Sequence, residues 1–262
     1  VLMEKVINGK LEMAGVSNGA YARFVPELST LVLPFLFDSN AEIDFILDKY
    51  LYEPVRQISR NYGIEFYQWA ENGWLNIGLQ GGFVKTPGDL GGKPIRSQKT
   101  QISQLTSKAF GGTPVPLESA EVMDAFNANK IVGFLQTPLF TFAASWHTKI
   151  THYTVTGHRY DPAMMIYSSK WFDTMTPEIQ KILLSDAQAD TEASRKAVRK
   201  LAPELMKNFV SYGIKVYTLS PAERKAFKKA SASVRKDFEK TASPGSLKIL
   251  KAIDQGKKAF KK

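Results

Sequence analysis

Hydrophobic positions change their spacing several times along this chain, and each change marks an element. Leu11 to Val16 is a short apolar run of strand type, preceded by a helix-like opening that breaks at Asn8-Gly9. Ile43, Ile46, Leu47, Tyr50, Leu51 and Val55 then recur at helical spacing behind Asp38 or Ser39, either of which suits a helix cap. "IEFYQWA" alternates as a strand does, and "ENGWLNIGLQGGFV" is a second extended stretch interrupted by glycines.

The middle of the chain alternates strand and helix, with no internal sequence repeat. "TPGDLGGKPIR" gives a turn and a strand, and "SQKTQISQLTSKAFGG" a helix closed by glycine. "TPVPLE" is a short strand, "SAEVMDAFNANK" a helix capped by Ser119, and "IVGFLQTP" a strand running into a loop. Strand, helix, strand, helix, strand predicts parallel βαβ units and an α/β fold. "TVTGHRYDPAMMIYSSKWF" adds two strand-like pieces around a proline turn. A long helical stretch broken at Pro203 follows, then the strand "IKVYTL" and helices from Pro221 onward. That stretch is long enough to brace two lobes.

Composition narrows the class. With 262 residues, 44% hydrophobic and 23% charged, the chain has the balance of a globular protein. Its longest apolar run, "LSTLVLPFLF", is shorter than the ~18 residues a membrane span requires. It contains no cysteine, which removes disulfides, thiolate metal sites and cysteine nucleophiles. The net charge of +10 is concentrated in the last third, in "ERKAFKKASASVRKDFEK" and "KKAFKK". Because Phe227, Val234 and Phe238 sit at helical spacing among these lysines, the basic residues read as solvated helix faces. An interaction module with basic C-terminal helices, contacting a partner protein, anionic lipid or nucleic acid, is the alternative. No RNA-binding motif or zinc finger favours nucleic acid.

No catalytic constellation is present. His147, His152 and His158 lack metal-ligand spacing, and there is no nucleophile elbow, Walker loop or dinucleotide fingerprint. An enzyme is therefore not expected, and neither a cofactor nor a metal is implied. Aromatic and amide residues gather instead at strand-to-loop junctions: Trp74, Asn76, Gln80, Phe83, Phe134, Gln136, Phe140, Trp146 and Tyr160. Ligands of open α/β sheets sit at such carboxyl ends. Arg96, at the end of "KPIR", has the planar fork that binds a carboxylate two-pronged; a salt bridge to Asp89 or Glu118 is the competing role.

"GDLGGKPIRSQKTQISQLTSKAFGGTPVPLESAEVMDAFNANKIVGFLQTP" resembles the core of the DctP-type substrate-binding proteins of TRAP (tripartite ATP-independent periplasmic) transporters. The resemblance extends to "INGKLEMAGVSNGAYARFVPELSTLVLPFLF" and "YTVTGHRYDPAMMIYSSKWFDTMTPEIQKILLSDA", covering about residues 6 to 220. It implies a two-lobed, periplasmic-binding-protein-like fold with hinge strands and a long bracing helix. Lobe I would comprise residues 1–73 and 162–201, and lobe II residues 74–161 and 202–262. The family's first strand and first helix would be missing from this chain.

By the same resemblance Arg96 holds a ligand carboxylate, Gln136 supplies a second polar contact, and Ser17 and Asn18 contribute from lobe I. Trp74, Asn76, Phe134, Trp146 and Tyr160 complete the expected ligand-binding set. Val132 and Leu135 replace common acidic residues, and "NGWLNIGLQGG" carries no charge where some acid-binding members have an arginine. One arginine among aromatics suggests a monocarboxylate with a hydrophobic body. The implied partners are the TRAP membrane permease subunits and a periplasmic tetratricopeptide-repeat protein, and the implied place is the periplasm, with the signal peptide removed and the protein soluble or lipid-anchored.

Overall fold

A computed structural model describes residues 2–261. Two strands are too long for a single lobe: β2 (Ile64–Leu79, 16 residues) and β6 (His152–Ser168, 17 residues) run antiparallel from Ile64 opposite Ser168 to Leu79 opposite His152. At ~3.3 Å per residue each extends about 50 Å. The other strands attach at the two ends of this ribbon. β1 (Met13–Ser17) pairs with β6 over Ala163–Tyr167. At the far end β5 (Gly133–Gln136) joins β2, and β7 (Lys215–Thr218) joins β6. β3 (Pro94–Ser97) lies parallel between β5 and β4 (Thr113–Pro116), as the alternating βαβ pattern predicts. The sheet order is β1-β6-β2-β5-β3-β4, with β7 on β6.

The two extended stretches expected before residue 84 are thus one strand, and so are the two expected around Pro162. Pro162 falls opposite Glu71, beside a register shift at Glu71–Gly73 where the ladder is already interrupted and its missing N–H costs little. Further shifts at Phe66–Gln68 and Leu75–Ile77 bend the ribbon between the lobes.

The helical pattern behind Ser39 forms as predicted, with Ser39 Oγ accepting from the Glu42 amide at 3.2 Å. It opens into a π-turn at Leu47–Leu51 before resuming at Tyr52–Arg60. Pro54 explains the widening, since it cannot donate to the Tyr50 carbonyl and its ring would press on it. Helix Ala187–Ser211 in turn runs straight through the expected break at Pro203, which is exposed and leaves only the Arg199 carbonyl without its amide. Ser119 does not cap the following helix; Glu118 does, in a reciprocal pairing with Glu121.

The long helix braces both ends of the ribbon. Arg195 clasps Asp48 with two bonds of 2.7 and 2.8 Å, and Arg199 clasps Asp44 with two of 2.7 Å while its Nε donates to Glu71 of β2 at 2.8 Å. Fifteen angstroms of helix later in the chain, Phe209 stacks on Tyr153 at 4.2 Å in the other lobe. The C-terminal helices, expected in lobe II, pack against two clusters. Phe227 packs on Phe110 of lobe II, whereas Val234, Phe238, Ile249, Leu250 and Ile253 join the cluster of Ile43, Ile46 and Leu47. Gly256 admits this contact, because a Cβ there would lie 2.9 Å from Ile46. We propose to keep the lobe boundaries at the ribbon, near residues 73 and 161, and to place these last helices with lobe I.

Candidate functional site

The site is built where β3 and β5 end. After Ser97 the chain turns into helix Gln101–Ala109, capped by Thr100, and after Gln136 into helix Pro138–Ala143, capped by Thr137. Arg96 lies at this edge, 3% exposed. Its Nε donates to the Leu117 carbonyl at 3.2 Å and its guanidinium sits 5.1 Å from the centre of the Trp146 ring. Its Nη1 is buried with no hydrogen-bond partner. Burial, reinforced by the neighbouring Arg159 cation, lowers its pKa to about 10. A buried cation with an open donor is chemically suited to a carboxylate.

Lobe I closes over this edge. A Cβ at Gly19 would stand 2.4 Å from the Gln98 amide, so the turn Asn18–Tyr21 touches lobe II directly. Arg23 reaches Glu118 at 2.7 Å. Asn18 is fully buried, donates to the Leu28 carbonyl at 3.2 Å, and keeps its Oδ1 without a partner. Ser17, the last residue of β1, pairs with Ala163 at the same end of the cleft.

The expected residues divide into two groups. Phe134 is level with Arg96 in the strand register and packs on Trp146 at 5.3 Å, so it backs the ring against which the guanidinium lies. Gln136 stands at the same edge, with its Oε1 accepting from the Thr137 amide at 2.8 Å. Asn76 is occupied structurally: its amide donates to the Trp74 carbonyl and Tyr153, and its oxygen accepts from the Gly157 amide at 2.9 Å. Trp74 donates to Asn40 at 2.8 Å and packs edge-on against Tyr160.

Trp74 and Asn76 line a cavity of about 300 Å³ under the long helix, together with Leu139, Val198 and Met206. An anion entering there meets Glu71 and an Arg199 already held by Asp44 and Glu71. The remaining expected junction residues are peripheral: Phe83 packs on His152 and Tyr217, Phe140 on Trp146, and the Gln80 carbonyl accepts from Thr151.

Two residues escaped the sequence reading. Arg159 and Asp161 alternate with Tyr160 on β6 and therefore project from the opposite side of that strand, both buried. Arg159 stands directly across from Leu75, within the stretch of β2 noted for lacking charge. Its Nη2 meets Asp161 at 3.3 Å and Gln98 at 3.0 Å, and its Nη1 meets Ser103 at 3.2 Å. Asp161 also accepts from Asn72 at 2.9 Å. Both ionisable groups feel their burial first: the carboxyl of Asp161 is pushed up and the guanidinium of Arg159 down, each partly offset by the other. The available signal was the i, i+2 charge pair in "HRYD", inside a strand-like run with no other reason to hold charge.

Two lobes joined by a continuous ribbon and braced by one helix, with a buried guanidinium whose Nη1 is open at their junction, give the architecture of a solute receptor. The family profile described as "Bacterial extracellular solute-binding protein, family 7" (DctP) matches residues 1–241, and the chain belongs to that family. The resemblance to TRAP-transporter receptors is thereby borne out, and with it a periplasmic place of action. Among curated relatives, the 2,3-diketo-L-gulonate-binding periplasmic protein of Escherichia coli is 28% identical over 245 residues, 94% of this chain and 74% of that protein.

The C4-dicarboxylate-binding periplasmic protein of Vibrio cholerae is 22% identical over 257 residues, 97% of this chain and 76% of that one. The periplasmic ectoine-binding protein of Halomonas elongata superposes with a TM-score of 0.91 at 20% identity, covering 98% and 84% of the two chains. A TRAP periplasmic solute-binding protein of Sulfitobacter with bound β-D-galacturonate gives 0.89 at 22%, covering 96% and 83%. Among the described residues no helix is long and apolar enough to cross a membrane.

Proposed function

We propose that this receptor captures an organic carboxylate in the cleft between its lobes and delivers it to a TRAP membrane permease. The open Nη1 of buried Arg96 carries the reading. A buried cation without a counter-charge costs several kcal/mol, and a carboxylate placed on its fork offsets that cost with two charge-assisted bonds. Gln136, Ser17 and Asn18 add polar contacts from the two sides, and contacts to both lobes bias the population toward the closed form.

The body of the ligand is polar. The expected hydrophobic body rested on four aromatics, but Phe134 is buried in the core against Phe126 and Trp146, while Trp74 and Tyr160 project from the other side of β6 and its partner strand from Arg159 and Asp161. Beside Arg96 the strand edge carries Gln98, Ser103, Arg159 and Asp161 in mutual hydrogen bonds. A hydroxylated monocarboxylate fits them, and two similar proteins point the same way, one named for 2,3-diketo-L-gulonate and one holding β-D-galacturonate.

Nothing favours the alternative of a basic interaction module: the C-terminal helices bury their apolar sides in the core, and Lys228 and Lys257 are engaged by Asp38 and Glu42. The comparisons give a tetratricopeptide-repeat partner no support.

Calorimetric titration with D-galacturonate, D-galactonate and related sugar acids tests the reading. Saturable binding is expected, weakened about tenfold or more in Arg96→Lys, where a point charge replaces the fork. Binding that is indifferent to that substitution removes Arg96 from the site. Native mass spectrometry of protein from its source gives an independent check, through release of a retained acid that Arg96→Ala no longer holds.

A further inference from the structure

The pair Arg159–Asp161 has no structural necessity that apolar residues would not meet equally well, since buried ion pairs contribute little net stability. It is nevertheless fully enclosed, with the two side chains 4% and 1% exposed. Gln98, Ser103 and Asn72 hold it in place, while the Nε of Arg159 has no partner. Gln98, two residues beyond Arg96 at the same strand edge, accepts from Arg159 at 3.0 Å, which brings the pair to the edge where Arg96 lies, and the charges of both members act on Arg96. The sum of the three is one positive charge.

Glu118 acts on Arg96 as well, ahead of Asp161, but it stands at the solvent-exposed rim and is shared with Arg23 and Lys99, so the buried sum is set by the three enclosed groups. Glu71 belongs to the Arg199–Asp44 network. His158, next in the chain, is kept neutral by burial and by the cations of Arg159 and Arg224.

Resting on the carboxylate reading above, we propose that Asp161 sets the charge of the ligand. With Arg96 and Arg159 both cationic, two arginines alone would call for a dianion. Asp161 cancels one of them, so a ligand with a single carboxylate restores neutrality in the closed cleft. A second carboxylate has to be buried uncompensated, which excludes dicarboxylates of the same skeleton. Arg159 is then a specificity residue held against Asp161, and the uncharged β2 stretch is complemented from the strand beside it.

The test uses D-galactonate and galactarate, which share a six-carbon chain and differ by one carboxylate, alongside lactate and malonate on three carbons. Affinities are read by thermal shift and calorimetry for the wild type, Asp161→Asn and the double variant Arg159→Met with Asp161→Asn. Wild type is expected to favour the monocarboxylate of a pair. Asp161→Asn raises the sum to two and shifts the ratio toward the dicarboxylate by about 10- to 100-fold, the range of one charged hydrogen bond. The double variant returns the sum to one and regains the wild-type preference. It also removes both buried charges, and is expected to be the less destabilised of the two because no charge is left buried and unpaired.

Should Asp161→Asn not fold, Arg159→Gln replaces it: the sum falls to zero and monocarboxylate binding drops by about 10-fold or more. A wild type preferring dicarboxylates, an unchanged ratio in Asp161→Asn, a double variant that behaves like it, or undiminished binding in Arg159→Gln overturns the charge rule while leaving Arg96 as the carboxylate ligand. Failure of every acid to bind wild type overturns the carboxylate reading itself, and the charge rule with it.

Discussion

Arg23 and Glu118 meet at 2.7 Å across the mouth of the cleft, one from each lobe. Both side chains are nearly half exposed, and Lys99 also reaches Glu118 at 3.7 Å. A bridge of this kind is worth about 0–1 kcal/mol and is screened by salt. Its place matters more than its strength, because it spans the mouth and is expected to form as the lobes shut. Glu118→Gln is expected to weaken ligand binding by up to about fivefold at low ionic strength. The same comparison near 1 M salt should give no difference; a salt-independent loss assigns Glu118 some other role.

Gly19 makes a stricter demand on closure. Its Cβ would fall 2.4 to 2.6 Å from all three terminal atoms of Gln98. A free glutamine would swing aside, but Gln98 Oε1 accepts from Arg159 at 3.0 Å and from Ser103 at 3.3 Å. Displacing it disturbs the buried charges of the site. Gly19→Ala is therefore expected to reduce ligand affinity about tenfold while the ligand-free protein keeps or slightly gains stability, since alanine suits this helical turn better than glycine. Equal affinity for alanine and glycine variants would show that the lobes close without this contact.

Arg199 ties the long helix to two elements through Asp44 and Glu71. Burial raises the Glu71 carboxyl above its ordinary range even with Arg199 beside it. The folded state thus holds that proton more tightly than the unfolded state. The contribution of Glu71 is complete below the ordinary carboxyl pKa, near 4.5, and is lost as pH rises through its higher folded value. Arg199→Ala removes the main opposing charge and widens the gap. Denaturant unfolding is expected to show a loss of about 1–3 kcal/mol near pH 7 and a smaller one near pH 4. A loss of the same size at both pH values separates Glu71 from the effect.

The position of Arg96 near the end of a strand and before a helix start was legible in the sequence, whereas its role as a ligand residue came from the family resemblance rather than from any local pattern. The βαβ order and the bracing helix were legible as well, being local periodicities. Arg159 and Asp161 were not, since their meaning lies in the register of β6 against β2, which puts Arg159 opposite Leu75 from 84 positions away in the chain. Trp74 and Asn76 were expected at a strand-to-loop junction but lie inside β2, and which side of the ribbon such a residue faces depends on the bulges at Glu71–Gly73 and Leu75–Ile77. No local pattern encodes those shifts beyond Gly73 itself, whose φ of 98° suits glycine. The C-terminal helices show the same limit: their amphipathic spacing predicted that they pack, not which lobe receives them.

His158 offers a pH test of the fold that is independent of any ligand. It is buried, its Nδ1 meets Thr156 at 2.7 Å, and its ring packs edge-on against Phe110 at 5.2 Å. Burial, with the cations of Arg159 and Arg224, pushes its pKa well below the ordinary 6.5. The unfolded chain therefore takes up a proton near pH 6.5 while the folded chain refuses it. The stability that neutral His158 allows is present above that pH and is lost as pH falls below it, at about 1.4 kcal/mol per pH unit.

His158→Gln does not titrate, so the stability difference between wild type and variant should shrink by about that amount between pH 6 and pH 5. Glu71 and Asp161, whose raised pKa values act in the opposite sense, are common to both proteins and largely cancel in the difference. A difference that stays flat from pH 6.5 to 5 would mean that His158 accepts its proton in the folded state, and that the interior beside Arg159 is wetter than its enclosure implies.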